Sequence, residues 1–123
     1  MKANLVTGLT HTQTHEVTPE RTTGHAARAV LATPSMIGLI EGTCLAAMTP
    51  HLDAGETSVG AHVCVSHEAA VPAGHQITVS VAVAEIVKRR VTFETTVQTG
   101  EGQTVSRGTH QRAVIDARRF TAA

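Results

Sequence analysis

Tryptophan and tyrosine are absent from this chain, and phenylalanine occurs only at positions 93 and 120. A surface without stacking rings offers no platform for unpaired bases, which argues against single-stranded nucleic-acid binding. Neither sign of charge is in excess. Ten Lys and Arg balance ten Asp and Glu, so no global field draws in a nucleic acid or an anionic membrane. The opening residues, Met1-Lys2-Ala3-Asn4-Leu5, lack the apolar run of a secretory signal. Cysteine is scarce too: Cys44 and Cys64 have no CxxC or zinc-like spacing, and without an export signal they read as reduced, packed thiols in a cytoplasmic protein. Gly-rich phosphate loops, GxSxG and HExxH are all missing. At 123 residues the chain is expected to fold as one domain, residues 1–123, with a single core.

What the chain does have is one long apolar stretch, residues 29–50, in which Glu41 is the only charged side chain. Pro34, Gly38, Glu41 and Gly42 interrupt it and Pro50 closes it, so it reads as a core helix rather than a membrane span. Thr33-Pro34 is a helix start, with Thr able to cap and Pro suited to the first helical position. The helix is predicted over residues 34–48. A helix apolar on nearly every face is expected to be buried, and a carboxylate inside it costs several kcal/mol unless paired, hydrogen-bonded or neutral. Glu41 is therefore either a structural anchor for a loop or a group kept for chemistry.

Beyond the turn-rich residues 51–56 the period changes from helical to alternating. Val59, Ala61, Val63 and Val65 fall on one face of a predicted strand; Gly60, His62, Cys64 and Ser66 fall on the other. Ile77, Val79, Val81 and Val83 mark a second such strand, and Val91, Phe93, Thr95 and Val97 a third. A hairpin loop at residues 99–103 leads into a last strand over 105–115. Residues 12–18, β-branched and polar, are a plausible first strand. Short turns between close strands predict an antiparallel meander. The expected fold class is α+β: a curved five-stranded antiparallel sheet wrapped around one central helix, with a free edge pairing with a second copy.

Three side chains carry the possible chemistry. If alternation holds, His67 follows Val63 and Val65 onto the helix side, where a buried Glu41 and a His would make an acid–base pair. The other reading of His67 is a surface-loop histidine. Thr33 is either a helix cap only, or a hydroxyl at a positive helix end suited to a developing oxyanion. His11 and His15 have helical metal-ligand spacing but lie in extended-looking sequence with no third ligand, so no metal site is expected. Lys88-Arg89-Arg90 reads as a solvated hairpin or a contact for a phosphate-bearing ligand, and Arg112 invites the same thought. No cofactor is expected.

The run Ala32-Thr33-Pro34-Ser35-Met36-Ile37-Gly38-Leu39-Ile40-Glu41 is joined by two others. Ser58-Val59-Gly60 leads into Val65-Ser66-His67-Glu68-Ala69-Ala70-Val71-Pro72-Ala73-Gly74, and Gly108-Thr109-His110-Gln111-Arg112-Ala113-Val114-Ile115 follows later. Together these blocks resemble the fluoroacetyl-CoA thioesterase family of hot-dog-fold proteins. The resemblance covers most of residues 18–120. It implies a hot-dog fold, a homodimer or higher even oligomer with active sites near the subunit interface, and hydrolysis of an acyl-CoA thioester. It also implies that Thr33, Glu41 and His67 are catalytic and that Gly60 lies beside the bound acyl group, with Arg112 in the matching strand segment. The family's best-known member has a longer, Phe-bearing lid between first strand and helix. Here residues 21–30 are short and lack aromatics, so a general short-chain or aromatic acyl-CoA fits at least as well as fluoroacetyl-CoA.

The mechanism this implies places the thioester carbonyl near the helix start, polarised there by backbone N–H groups and Thr33. Glu41 attacks it or activates water, and His67 moves the proton. The alternative is a non-catalytic acyl-CoA-binding hot-dog dimer. A hot-dog hydratase would need an Asp and a His a few residues apart near the helix, and residues 29–50 contain neither.

Overall fold

The computed structural model describes residues 1–24 and 28–120. Five strands form one antiparallel sheet: β1 (Thr10–Glu16), β2 (Glu56–Val65), β3 (Gln76–Val87), β4 (Arg90–Thr99) and β5 (Thr104–Asp116). One long helix, α1 (Thr33–Met48), runs between β1 and β2 in the chain. The spatial order is β1-β3-β4-β5-β2. Only β3, β4 and β5 form a meander. β2 lies at the far edge against β5 instead of beside β3, which corrects the simple meander. Alternation reports which face a residue takes and is blind to which strand it pairs with.

Alternation predicts the central strands well. Ile77, Val79, Val81 and Val83 on β3, and Val91, Phe93 and Val97 on β4, are buried against the helix side, joined by Met36, Ile40, Cys44 and Met48 of α1. Burying such side chains is worth about 1.5–3 kcal/mol each before conformational entropy is charged. β1 begins and ends two residues earlier than expected and turns His11, Gln13 and His15 toward partial burial. Gln13 bridges the two rings, at 3.3 Å to His11 Nε2 and 3.0 Å to His15 Nε2. The Lys88-Arg89 turn places Lys88 at φ 55°, while Arg89 reaches Glu56 and the Val114 carbonyl, and Arg90 reaches Gln111.

On β2 the predicted face is half right. The β2–β5 register shifts between Gly60 and His62, leaving Ala61 as a bulge. One extra residue flips the phase of everything beyond it. Ser58 and Gly60, opposite Val114 and Arg112, share the helix side with Val63 and Val65, opposite His110 and Gly108. Val59 therefore points away from the helix, contrary to the unbroken alternation.

Two further expectations change. Met36, Ile40, Cys44 and Ala47 bury one stripe of α1, but Pro34, Gly38 and Gly42 are exposed on the opposite side. The Glu41 side chain, on that open stripe, retains 38% of its exposure. It is a half-buried carboxylate because the single chain has no layer over this face. Cys44 is buried, its thiol pushed up to about 12 by burial, whereas Cys64 is exposed on the edge strand and is not a packed thiol. No described helix is long and apolar enough to cross a membrane.

Candidate active site

The connection from β2 to β3 must cross from one edge of the sheet past β5 and β4, and it does so over the start of α1. Leu31 N donates to Val71 O at 2.8 Å, and Val30 bridges Pro72. Val71 is buried beneath this crossing. The crossing carries His67 to the first turn of the helix, where Thr33 Oγ1 and His67 Nδ1 lie 2.7 Å apart. Thr33 is not a cap. Ala32 holds the N-cap position without a side-chain bond, and Thr33 is already helical. Its hydroxyl is thereby free for the imidazole. His67 also lines an open groove of about 230 Å³ with Val30, Leu31, Ala69 and Ala70. A larger cavity, about 500 Å³, lies far along β5 beside Arg89, Arg119 and Phe120, away from these groups.

Glu41 stands eight residues further along α1, about 12 Å up the axis. Within one chain it does not meet Thr33 or His67. Its neighbours are on the bulged edge of the sheet. Arg112 Nη1 is 3.9 Å from Glu41 Oε2, too long for a hydrogen bond but close for an ion pair. Gly60 lies directly under the carboxylate, where a Cβ would come within 2.6 Å of Glu41 Oε2 and 3.4 Å of His110 Cε1. The five sequence-derived residues thus form two groups: Thr33 with His67, and Glu41 with Gly60 and Arg112.

Two further residues belong to the second group, and sequence reasoning passed over both. Ser58 and His110 are buried polar side chains. Arg112 Nε donates to Ser58 Oγ at 2.8 Å and Nη2 to Ser58 O at 2.9 Å, while Nη1 lies 3.1 Å from His110 Nε2. The signal for them was parity: His110, Arg112 and Val114 occupy one face of β5, so two polar residues share the core register of a valine. Burial lowers the Arg112 pKa, with Cys44 and Glu41 opposing, yet a guanidinium stays charged at any accessible pH. The group gathers a fixed cation, a half-exposed carboxylate and a glycine that keeps the approach open.

The role of Gly60 is testable. Gly60→Ala puts a methyl where the Glu41 carboxylate rests, and that carboxylate is the movable end of a side chain, so the fold should survive. A displacement near 1 Å should cut kcat by roughly a hundredfold with the melting temperature nearly unchanged. Steady-state kinetics beside a thermal melt checks this; an unaltered kcat would dismiss any need for bare backbone here.

Comparison with known proteins agrees with this architecture. A hot-dog-like protein from Thermanaerovibrio acidaminovorans, 19% identical, superposes with a TM-score of 0.85 over 93% of this chain and 86% of its own, so the two share the hot-dog fold. The fluoroacetyl-CoA thioesterase FlK superposes at 0.89 with 34% identity, covering 97% of this chain and 94% of that one. The fluoroacetyl-CoA thioesterase of Streptantibioticus cattleyicolor is 40% identical over 93 residues, 76% of this chain and 66% of the relative's length. The family described as fluoroacetyl-CoA-specific thioesterase matches residues 12–118. With that span matched and the fold shared, the chain belongs to the fluoroacetyl-CoA-specific thioesterase family.

Proposed function

We propose that this protein hydrolyses a small acyl-CoA thioester to the free acid and CoA. The observation that carries the reading is the 2.7 Å Thr33–His67 pair at the start of α1, in a chain of this family. The positive end of a helix and a hydroxyl favour a developing oxyanion on the thioester carbonyl. Glu41 attacks the carbonyl carbon or takes the proton of an attacking water. The C–S bond then breaks, and the thiolate of CoA receives a proton through His67; where Glu41 itself has attacked, the acyl–Glu41 anhydride left behind is hydrolysed by water, which releases the acid and restores the carboxylate.

In this reading the catalytic centre is shared between two copies. The separation of about 12 Å along α1 keeps Glu41 from its partners within one chain. β2 is an edge strand with Val59 and Val63 44% and 36% exposed, beside the open helix stripe of Gly38 and Gly42. A second copy laid on this edge covers both and brings one chain's Glu41 toward the other's Thr33 and His67. The assembly is then a homodimer or a higher even oligomer of the 12.9 kDa chain.

The acyl group we propose is short-chain or aromatic rather than specifically fluoroacetyl. A variant of FlK is known in complex with fluoroacetate and CoA, but residues 21–30 here are a short interval without aromatics. Its ends are pinned, with Thr23 N donating to Val30 O at 2.9 Å and Thr22 bridging Leu31; residues 25–27 lie outside the described residues. The test is release of CoA thiol from acetyl-, fluoroacetyl-, butyryl-, phenylacetyl- and long-chain acyl-CoA. Turnover should favour the small or aromatic esters and fall in His67→Ala. Stabilisation by CoA esters with no thiol released from any of them would instead make the protein a binding module.

A further inference from the structure

His110 is fully buried on β5, and both of its ring nitrogens are engaged. Nδ1 lies 2.9 Å from the His62 carbonyl oxygen, which can only accept, so Nδ1 carries the hydrogen. Arg112 Nη1 can only donate, and it lies 3.1 Å from Nε2, so Nε2 offers a lone pair. The two bonds together demand the neutral ring with one defined tautomer. Burial favours the same state by lowering the His110 pKa; the His62 bond opposes this and the Arg112 charge adds to it. The titratable groups acting on the ring are Glu41 from α1, His62 from β2 and Arg112 on its own strand, and Cys44 of α1 acts on Arg112 in turn.

The consequence lies one residue further out. Ser58 holds Nε and Nη2 of Arg112, and His110 holds Nη1, so all three guanidinium nitrogens are anchored. The nitrogen that His110 holds is also the one 3.9 Å from Glu41 Oε2. Among the described residues, none donates a hydrogen bond to the Glu41 carboxylate. Its carboxylate is oriented by a fixed positive charge and by the bare Cα of Gly60, which leaves its lone pairs open for the reaction.

We propose that His110 is a positioning residue for Glu41: by accepting from Arg112 as a neutral imidazole, it locks the guanidinium beneath the carboxylate. A cation aimed at one oxygen sets where the carboxylate rests before substrate arrives, and preorganised charge is worth most in a partly buried site. The inference rests on the thioesterase reading for its kinetic consequence.

Two variants and one spectrum test it, all on the full chain. His110→Leu keeps bulk but removes the acceptor, and should lower kcat by about a hundredfold with KM within about threefold. His110→Gln supplies an amide oxygen to Arg112 and an amide N–H to His62 O, and should recover kcat to within about fivefold of wild type. The ring nitrogens of His110, read by 15N NMR at neutral pH, should show Nδ1–H and an unprotonated Nε2. A folded His110→Leu with near-normal kcat, a Gln variant no better than Leu, or a ring protonated at Nε2 would each overturn the proposal. If His110→Leu does not fold, the Gln variant and the spectrum decide alone. A wild type that hydrolyses no acyl-CoA would overturn the thioesterase reading instead, a result distinct from an active enzyme indifferent to position 110.

Discussion

Glu41→Gln should lower turnover of the best acyl-CoA by about a thousandfold, as expected for loss of an essential nucleophile or base, and leave the protein folded. The amide matches the carboxylate in shape. The side chain it replaces is 38% exposed and paired only at 3.9 Å, so stability should change by less than about 1 kcal/mol. Arg112 keeps Ser58 and His110 as partners and is not left stranded. A second experiment then separates one-chain from two-chain chemistry. Glu41→Gln and His67→Ala protomers, each inactive alone, are unfolded together, refolded and assayed. If Glu41 of one chain serves His67 of the other, random pairing yields half mixed dimers with one intact site in two. Activity should return to about a quarter of wild type. A mixture as inactive as its parents would place the whole reaction within one chain, and near-normal activity of Glu41→Gln would remove Glu41 from the mechanism.

That experiment is needed because the site was only partly legible in the sequence. Thr33, Glu41 and His67 could be singled out from a helix start, a lone carboxylate in an apolar run and a histidine after a strand. The burial of one face each of β3 and β4 followed from their alternation. What periodicity could not carry was position. The crossover that brings His67 onto Thr33 depends on β2 lying beside β5, a pairing between segments about 50 residues apart that no local pattern encodes. The bulge at Ala61 leaves Val63 and Val65 where alternation put them but reverses Val59. Ser58, His110 and Arg112 share the core register, yet a search for apolar periodicity discards polar residues by construction. The lone Glu41 misled in a different way. Its apolar surroundings implied burial, whereas the fold leaves that face of α1 open, with Gly38 and Gly42 exposed beside it.

Gly108→Ala should be the most destabilising single methyl on this edge of the sheet, and the reason is space rather than backbone conformation. A Cβ at Gly108 would overlap the Cys64 carbonyl oxygen and lie 2.7 Å from Val65 Cα. Both belong to the backbone of β2, which cannot rotate away as the Glu41 carboxylate can from a methyl at Gly60. Gly108 pairs with Val65 on one side and Thr95 on the other, so relief requires the end of β2 to separate from β5. The bonds that follow, Ser66 N to Arg107 O at 3.0 Å and Glu68 N to Val105 O at 2.7 Å, flank His67 and would be strained with it. Overpacking against fixed atoms costs about 3 kcal/mol or somewhat more, which for a chain of this size is a fall of about 10 °C in melting temperature. Hydrogen exchange should quicken in β2 and the start of the crossover while β3 and β4 stay protected. Activity should fall with the loss of the Thr33–His67 contact even below the melting transition. Gly60→Ala, its counterpart two strand positions of β5 beyond His110, should do the reverse and lose rate without stability. A Gly108→Ala protein that melts within 2 °C or so of wild type would show that β2 does not approach β5 this closely, and with it would fall the placement of His67 over the start of α1.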